Sequence, residues 1–484
     1  MDVEPTTVQF VSPDAVSNES IFDEYAANPR FQQLQTELRS WLFVGVSSQD
    51  NTRENSLTPS SNQQESSSDA DQRKPGYQLL HEHVRDSHDQ ISLARKIKYL
   101  HVWITDCAPW LDMFDQERHF GLQVPILSQR SAAVFHALLA VAARTAERQG
   151  DIEGSRDSLE LYSQAISSLT SSLNNTKETN VVVTACLLCV LEMMSVSPRD
   201  WRRHVEGCAA LFASSHIHGF SGGLLQAVFW CYARMDLCGA IIAGGAESTV
   251  LPIHEWVLLD DGAELLKSGT AKNAAIAEEF LRRGTQVPDM YANYAVYLCA
   301  KVCDLLSRRT GYLELGKDNG CEGETFKSEW RQLWDELQGW SARRPIEMKP
   351  VKSTKSSDTN PFPRIFFAHW AAISSNQLYH TACILMLELR NAESDNIWHH
   401  TDPAYSAFWH ARRVVGISLT NPHGGCINNA IQPLYVAGKM FTHQEEQSII
   451  VELIDSIETR TGWGSRWRIK DLEAVWGYRR ETFR

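Results

Sequence analysis

The first 106 residues of this 484-residue chain contain no cysteine, and the first of its eleven cysteines is Cys107. A zinc cluster with six cysteine ligands needs two tight groups of thiolates, so none is expected in this stretch. The only C-x-x-C pair, Cys186 and Cys189, lies in the apolar run TACLLCVL, and Cys208 follows nineteen positions later without a lysine or arginine between positions 180 and 198. We interpret these cysteines as buried helical residues and predict no metal site.

Basic residues are also scarce where a DNA-binding segment would need them. The net charge is −13, and residues 1–90 hold fifteen acidic and six basic side chains, a net of −9 that leaves −4 for the other 394 residues. Affinity for nucleic acid comes mostly from Lys and Arg that displace counterions from phosphates. We therefore expect this chain to reach DNA only indirectly, through a partner.

No leader and no membrane-spanning run are found. The first residues, MDVEPTTVQF, are acidic where a secretory signal is basic. The longest apolar run, 181–194, is interrupted by Thr184 and Glu192 and is shorter than the roughly 18–20 residues that cross a bilayer. The odd number of cysteines, mostly in apolar helical patterns, favours reduced thiols in the cytosol or nucleus.

Composition divides the chain into three parts. Residues 1–46 form an acidic arm with one short helix, whose apolar face holds five residues at helical spacing: Phe31, Leu34, Leu38, Trp41 and Leu42. Residues 47–88 are rich in Ser, Gln, Asn and Asp and poor in large apolar residues, so we predict a disordered linker. Residues 89–484 form the folded body, which we treat as a single unit.

The body is predicted to be all-α, a large bundle of packed antiparallel helices. Its first helix should be capped near residues 87–89 and should bury Leu93, Ile97, Leu100 and Ile104. Further helical patterns cover 131–148, 158–173, 181–194, 201–214, 224–243, 274–283, 287–308, 326–340, 366–390, 404–418, 427–443 and 444–459. Alternating strand patterns are scarce, and residues 348–359 are predicted to form an exposed loop.

Four blocks carry a resemblance to a known family. They are YLHVWITDCAPWLDMFDQERHF at 99–120, WRRHVEGCAALF at 201–212, FWCYARMDLCGAI at 229–241 and TGWGSRWRIKDLEAVWGYRR at 461–480. In this order they resemble the fungal-specific transcription factor domain, a helical regulatory region usually found behind a zinc-cluster DNA-binding module. The resemblance implies a nuclear regulator of transcription that works with other regulators or coactivators, often among genes of metabolism or of secondary-metabolite clusters.

Catalytic and metal-binding motifs are absent from the sequence. We find no GxSxG, GxxxxGK[ST], HExxH or kinase signature, and no GxGxxG after a strand, so we predict no enzyme and no cofactor. Histidines cluster at 81, 83 and 88, at 216 and 218, and at 399 and 400, without recurring ligand spacing. Asp112, Asp115 and His119 lie within the first block, and we interpret them as structural polar contacts at a folded corner.

Two segments allow a second interpretation. Tryptophans and arginines alternate in the last block, as in surfaces that stack nucleic-acid bases, but the resemblance implies a helical cap in which indoles pack and arginines form pairs. In the arm, acidic residues are mixed with Phe10, Ile21, Phe22, Phe31 and Trp41, as in segments that engage coactivators.

The cysteine pairs Cys231 with Cys238 and Cys299 with Cys303 have helical spacing, which is typical of core residues.

These observations favour a fungal transcription regulator that acts through its helical domain and is recruited to DNA by a partner. One alternative is that the chain is a shortened form of a zinc-cluster activator, whose longer product carries the DNA-binding module. Another is a helical ligand-binding protein or enzyme on the same scaffold, because many aromatic residues can line an apolar pocket for a small-molecule effector. Target genes and the direction of regulation are not readable from the sequence.

Overall fold

A computed structural model describes residue 25 and residues 27–50, 91–150, 156–170, 179–259, 269–357, 360–389 and 402–477. The architecture is all-α, as predicted. The first helices are α1 (Pro29–Asp50), α2 (Leu93–Val102), α3 (Ala108–Leu111), α4 (His119–Ser128), α5 (Ala132–Arg148), α6 (Asp157–Thr170), α7 (Thr179–Ser195), α8 (Pro198–Ser215) and α9 (Gly223–Ala243). They are followed by α10 (Ile253–Trp256), α11 (Gly269–Gln286), α12 (Pro288–Leu315), α13 (Gly323–Ala342), α14 (Trp370–Glu388), α15 (Ala407–Thr420), α16 (Ile431–Gly438), α17 (Gln444–Thr461) and α18 (Arg466–Trp476).

Local sequence signals explain where many of these helices begin and end. The hydroxyls of Ser131 and Ser197 accept hydrogen bonds from the third following backbone N–H groups and so cap α5 and α8. Pro198 occupies the first position of α8, where a missing N–H costs nothing. Gly462 ends α17 with φ of 68°, a conformation that side chains with a Cβ rarely adopt.

The core is one continuous apolar cluster that extends from α1 to α18. The alanine-rich helix α5 packs against α2, α4, α6 and α7, since small side chains let neighbouring helices approach closely. On the other side of the molecule, α12 packs against α9, α11 and α14. Helix α9 is long and apolar enough to cross a membrane, but 72% of its most apolar window is buried inside the fold, as expected for a core helix.

The predicted helix of the N-terminal arm is confirmed as α1, which packs on α8 and α6. All five residues of its predicted apolar face are buried: Phe31, Leu34, Leu38, Trp41 and Leu42. The helix continues to Asp50, four residues into the stretch predicted to be disordered. Residues 51–88 lie outside the described residues.

The predicted face of α2 is wrong. Its cap is Ser92, whose hydroxyl accepts from the N–H of Arg95, and Leu93 and Ile97 are exposed. The helix instead buries Tyr99 and, in the π-helical turn Trp103–Cys107 that follows, Trp103. Each aromatic residue buries more surface than an aliphatic one and satisfies its polar atom, Tyr99 on Asp157 and Trp103 on the carbonyl of Phe120.

Two other segments differ from their predictions. The strands β1 (Lys352–Thr354) and β2 (Arg364–Phe366) form a short antiparallel pair, so α14 begins at Trp370 and not at residue 366. The predicted helix 427–443 is broken into the 3₁₀ turn Asn428–Ala430 and α16. Within the predicted exposed loop, residues 351–357 are exposed but Met348 is fully buried.

Candidate effector cavity

A mainly apolar cavity lies where α3, α7, α9 and α16 meet the segment that joins α17 to α18. Its volume is about 90 Å³, and it is partly open to solvent. Three of the four family-like blocks contribute to its wall, at Trp110, at Met235 and at Trp463. Other side chains in its wall are Met113, Met193, Cys231, Arg234, Cys238, Asn429 and Gln432.

Aromatic and sulfur-containing side chains give the cavity its apolar character. The rings of Trp110 and Trp463 meet edge to face with centroids 5.1 Å apart. Trp110 is placed by the turn after the π-helix, and Trp463 by the left-handed glycine that ends α17. Thioethers such as those of Met193 and Met235 adapt easily to the shape of a ligand.

Two polar side chains offer hydrogen bonds to this space. Nη2 of Arg234 donates to the carbonyl of Leu111 over 2.7 Å, and no carboxylate forms an ion pair with Arg234 within the described residues. Nδ2 of Asn429 is buried and has no hydrogen-bond partner among them. Burial raises the pKa of the Cys238 thiol to about 11, so that thiol is neutral. The described lining therefore presents hydrogen-bond donors and no carboxylate.

A second, more polar cavity of about 50 Å³ adjoins the first. The two share Met193, Cys238, Ile431, Gln432 and Trp463. The second extends to Arg148 and Glu458, whose side chains lie 3.4 Å apart. Together they form a cleft that is apolar at one end and charged at the other.

The folded corner predicted from the first block is present. The two carboxylate oxygens of Asp112 accept hydrogen bonds from the N–H groups of Phe120 and Gly121, each over 2.8 Å. Asp115 contacts Nδ1 of His119 over 2.8 Å and caps the start of α4. Burial raises the pKa of Asp112 to about 7, although its two N–H donors oppose the shift. These contacts are structural and lie beside the cavity wall.

Cys189, His204 and Cys208 come together in the core, with ligand atoms within 4.8 Å of one another, an arrangement that could hold a metal ion. However, both ring nitrogens of His204 already have partners, Nδ1 the Glu192 carboxylate at 2.9 Å and Nε2 the carbonyl of Ala185 at 3.1 Å. Burial lowers the pKa of His204, but Glu192 and Cys208 outweigh it and raise it to about 10. The residues therefore fit a buried imidazolium–carboxylate pair better than a metal site.

The group of Cys189, His204 and Cys208 could not be predicted from the sequence, because these residues lie on two helices, α7 and α8. Cys186 and Cys189 are buried free thiols, as predicted, but they do not contact each other: the thiol of Cys186 donates a hydrogen bond to Cys231, and the thiol of Cys189 donates one to Cys208. The four-residue spacing of His204 and Cys208 on α8 was the one available signal. The hydrogen bond from Cys189, together with His204, lowers the pKa of Cys208 to about 6.

The aromatic and basic residues of the last block are occupied by internal contacts. Arg468 is buried, donates to Gln432 and Asp471, and stacks over the ring of Tyr435 at 3.7 Å. Arg466 pairs with Asp455 over 2.6 Å, and the indole N–H of Trp476 donates to the carbonyl of Gly438. Residues 478–484 lie outside the described residues. The described part of the block therefore forms the predicted helical cap and does not present a base-stacking surface.

Comparisons with known proteins agree with the resemblance. A family model described as the fungal-specific transcription factor domain matches residues 98–482. The chain is 25% identical to the transcription activator AMTR1 of Alternaria alternata over 362 residues, which cover 64% of this chain and 45% of that protein. It thus spans less than half the length of this curated relative. No solved structure matches the chain. The protein belongs to the fungal-specific transcription factor domain family.

Proposed function

We propose that this protein is a fungal transcription regulator, which acts in the nucleus through its helical domain and reaches DNA through a partner. The observation that carries the proposal is the placement of the cysteines. All eleven lie within the described residues at position 107 or later, as free thiols of the core, ten of them buried. Eight of them occur singly or in pairs on α7, α8, α9, α12 and α14, whereas a six-cysteine zinc cluster needs two tight groups. The net charge of −13 also disfavours direct contact with phosphates.

Chromatin immunoprecipitation of a tagged copy at native expression tests this proposal. We expect discrete promoter peaks that disappear when the DNA-binding partner is deleted. Binding of the purified protein to the same promoter DNA, without any other protein, would contradict recruitment by a partner. An immunoprecipitation profile without peaks, together with a tagged protein that stays in the cytoplasm, would contradict action in the nucleus.

The shortened-form alternative has a separate test, since the chain covers only 45% of its curated relative. Sequencing transcripts that extend upstream of Met1 would show whether a longer product encodes a six-cysteine cluster. If it does, direct DNA binding by that product replaces recruitment.

We further propose that the regulated genes belong to a metabolic or secondary-metabolite cluster. Membership of the family supports this, because family members often lie among such genes. Transcript profiling with and without the gene should change expression of a contiguous set of neighbouring genes. Scattered changes elsewhere would contradict it.

The cavity supports a small-molecule effector. Its thioethers and indoles suit an apolar body, and the free donor of Asn429 with the Arg234 guanidinium suits one carbonyl or carboxylate oxygen on the ligand. No paired carboxylates line it among the described residues, so we propose a sensor and not an enzyme. A thermal-shift screen of apolar carboxylates and ketones should raise the melting temperature of the wild type. Cys238→Trp, which fills the space, should abolish the shift, and ligand recovered unchanged would support a sensor.

A further inference from the structure

We propose that the groove formed by α6, α7 and α8, which holds α1, is a binding site for amphipathic helices that α1 closes and that a partner helix of the same pattern enters when α1 is released. The groove is defined by Glu160 and Tyr162 of α6, Glu192 of α7, and Asp200 and Gly207 of α8. The inference rests on the proposed recruitment by a partner for its biological role, but the binding site itself is tested independently of transcription.

The two oxygens of the Glu192 carboxylate have different partners. Its Oε1 accepts from the hydroxyl of Tyr162 over 2.7 Å and contacts Nδ1 of His204 over 2.9 Å, both within the domain. Among the described residues its Oε2 accepts only from α1, over 2.8 Å from Nε2 of Gln35, with Arg39 at 3.7 Å. One oxygen therefore stabilises the domain and the other is available to a helix in the groove. The contacts within the domain do not require α1.

The floor of the groove is formed by Gly207 of α8, which has no side chain. A Cβ placed on Gly207 of α8 would lie 2.6 Å from Cδ1 and 2.9 Å from Cβ of Leu42. Because real Cβ atoms essentially never approach so closely, glycine is needed for a helix to lie at this depth. At the other end, Phe31 stacks on Tyr162 with ring centroids 5.1 Å apart.

The third observation is the pattern that the groove recognises. Phe31, Gln35, Leu38 and Leu42 are spaced by four, three and four residues, and so lie along one face of α1. At the margins Arg30 pairs with Glu160 over 2.9 Å, and Arg39 donates to the carbonyl of Asp200 over 2.7 Å. A fitting partner is an amphipathic helix with an aromatic residue, a hydrogen-bond donor four positions later, and apolar residues at positions seven and eleven after the aromatic.

The fourth observation concerns the origin of the occupant. The family match begins at residue 98, so the groove belongs to the shared domain and α1 lies outside it. Forty-two residues separate Asp50 from Leu93 in the chain. A connection of this length holds α1 at an effective concentration on the order of millimolar, which favours docking but permits release.

A peptide of residues 27–46 with a fluorescent label is the probe, titrated by anisotropy against the full chain. Micromolar peptide should bind the wild type weakly, because α1 occupies the groove. The variant Phe31→Asp with Leu38→Asp should release its own α1 and bind the peptide at least about tenfold more tightly. The control Gln33→Asp with Thr36→Asp adds the same charge on the exposed face of α1 and should behave as wild type.

Two further measurements remove the ambiguity of a variant that misfolds. Adding Gly207→Leu to the released variant fills the floor and should abolish peptide binding, whereas binding that persists would place it elsewhere and overturn the proposal. In the wild type, native-state hydrogen exchange should show the amides of α1 opening without those of α5 and α7. If α1 exchanges only together with α5 and α7, it is a permanent part of the core and the proposal fails. Either result stands whatever chromatin immunoprecipitation shows.

Discussion

Trp110 and Trp463 meet edge to face across the cavity although one precedes α4 and the other follows α17. Trp110 is 7% exposed, so most of its indole is removed from water by this contact and its neighbours. The pair joins the first family-like block to the last, and it connects the two ends of the domain around the space that we assign to an effector.

Trp110→Ala should lower the free energy of unfolding by about 3 kcal/mol, because a buried indole is lost and a cavity is left. Trp463→Ala should cost less, since that side chain is only half-buried. The double variant should cost about 0.5–1.5 kcal/mol less than the sum of the two, as expected for rings in contact. Urea unfolding of all four proteins measures this, and strictly additive losses would show that the rings do not interact.

Gln35→Glu should weaken the docking of α1, because a second carboxylate would face Oε2 of Glu192 in place of an amide donor. We expect a loss of at least about 1 kcal/mol in the stability of the docked helix and faster trypsin cleavage at Arg39. Gln33→Glu makes the same chemical change on the exposed face and should leave the cleavage rate unaltered. Equal rates for the two variants would argue against the contact.

Asp289 should make the fold less stable as the pH rises. Both of its carboxylate oxygens are buried without a hydrogen bond of normal geometry among the described residues. Burial, with Asp115, raises its pKa to about 7, although the nearby backbone N–H of Gln116 opposes the shift. The folded state therefore favours the protonated acid. The stability that the protonated Asp289 contributes is fully present below pH 3.8, the pKa of this carboxyl in the unfolded chain. It is lost as the pH rises through about 7.

Asp289→Asn keeps the shape and removes this charge, so it should stabilise the protein at pH 8 by on the order of 1–3 kcal/mol and have little effect at pH 4. Groups that face Asp289 are Asp115 and His369, the latter at 3.9 Å, so the measurement is repeated in His369→Gln. Asp318→Asn, at an exposed position, serves as the control. A gain that does not depend on pH would contradict the raised pKa.

His204→Leu should destabilise the domain by about 3–5 kcal/mol at neutral pH, because Glu192 would remain as a buried charge with fewer partners. The double variant with Glu192→Leu should recover much of this loss, since the buried carboxylate is then removed together with the imidazolium. In the wild type, the pKa of His204 is raised to about 10, so the stability it contributes is present below pH 6.5 and is lost as pH rises through about 10. Thermal unfolding between pH 7 and pH 10 checks both statements, and a single variant as stable as the double one would refute the pairing.

Regular periodicity allowed most of the fold to be predicted. The face of α1 was correct because Phe31, Leu34 and Leu38 repeat with the period of a helix and no competing aromatic face exists. The face of α2 was wrong because Tyr99 and Trp103 gain more from burial than the aliphatic stripe, and a π-turn changes the register after Val102. The pair β1 and β2 was missed because three residues are too few to show alternation.

The cavity and the buried charges could not be read from the sequence for a different reason. Trp110 and Trp463 are distant in the chain, and only tertiary packing brings them together. Likewise His204 had no visible link to Glu192, because no local motif joins α7 to α8. Spacing predicts which residues share one helix, but it does not predict which helices become neighbours.

The divided carboxylate of Glu192 has a spectroscopic consequence. Its two oxygens link Gln35 of α1 to His204 of α8 through a single side chain. When α1 leaves, Oε2 loses a donor, the carboxylate becomes a stronger acceptor, and the Nδ1 proton of His204 is drawn further towards it. The imidazole resonances of a histidine with no exposed surface would therefore shift with every departure of the N-terminal helix, which gives the domain an internal NMR reporter of the state of its groove.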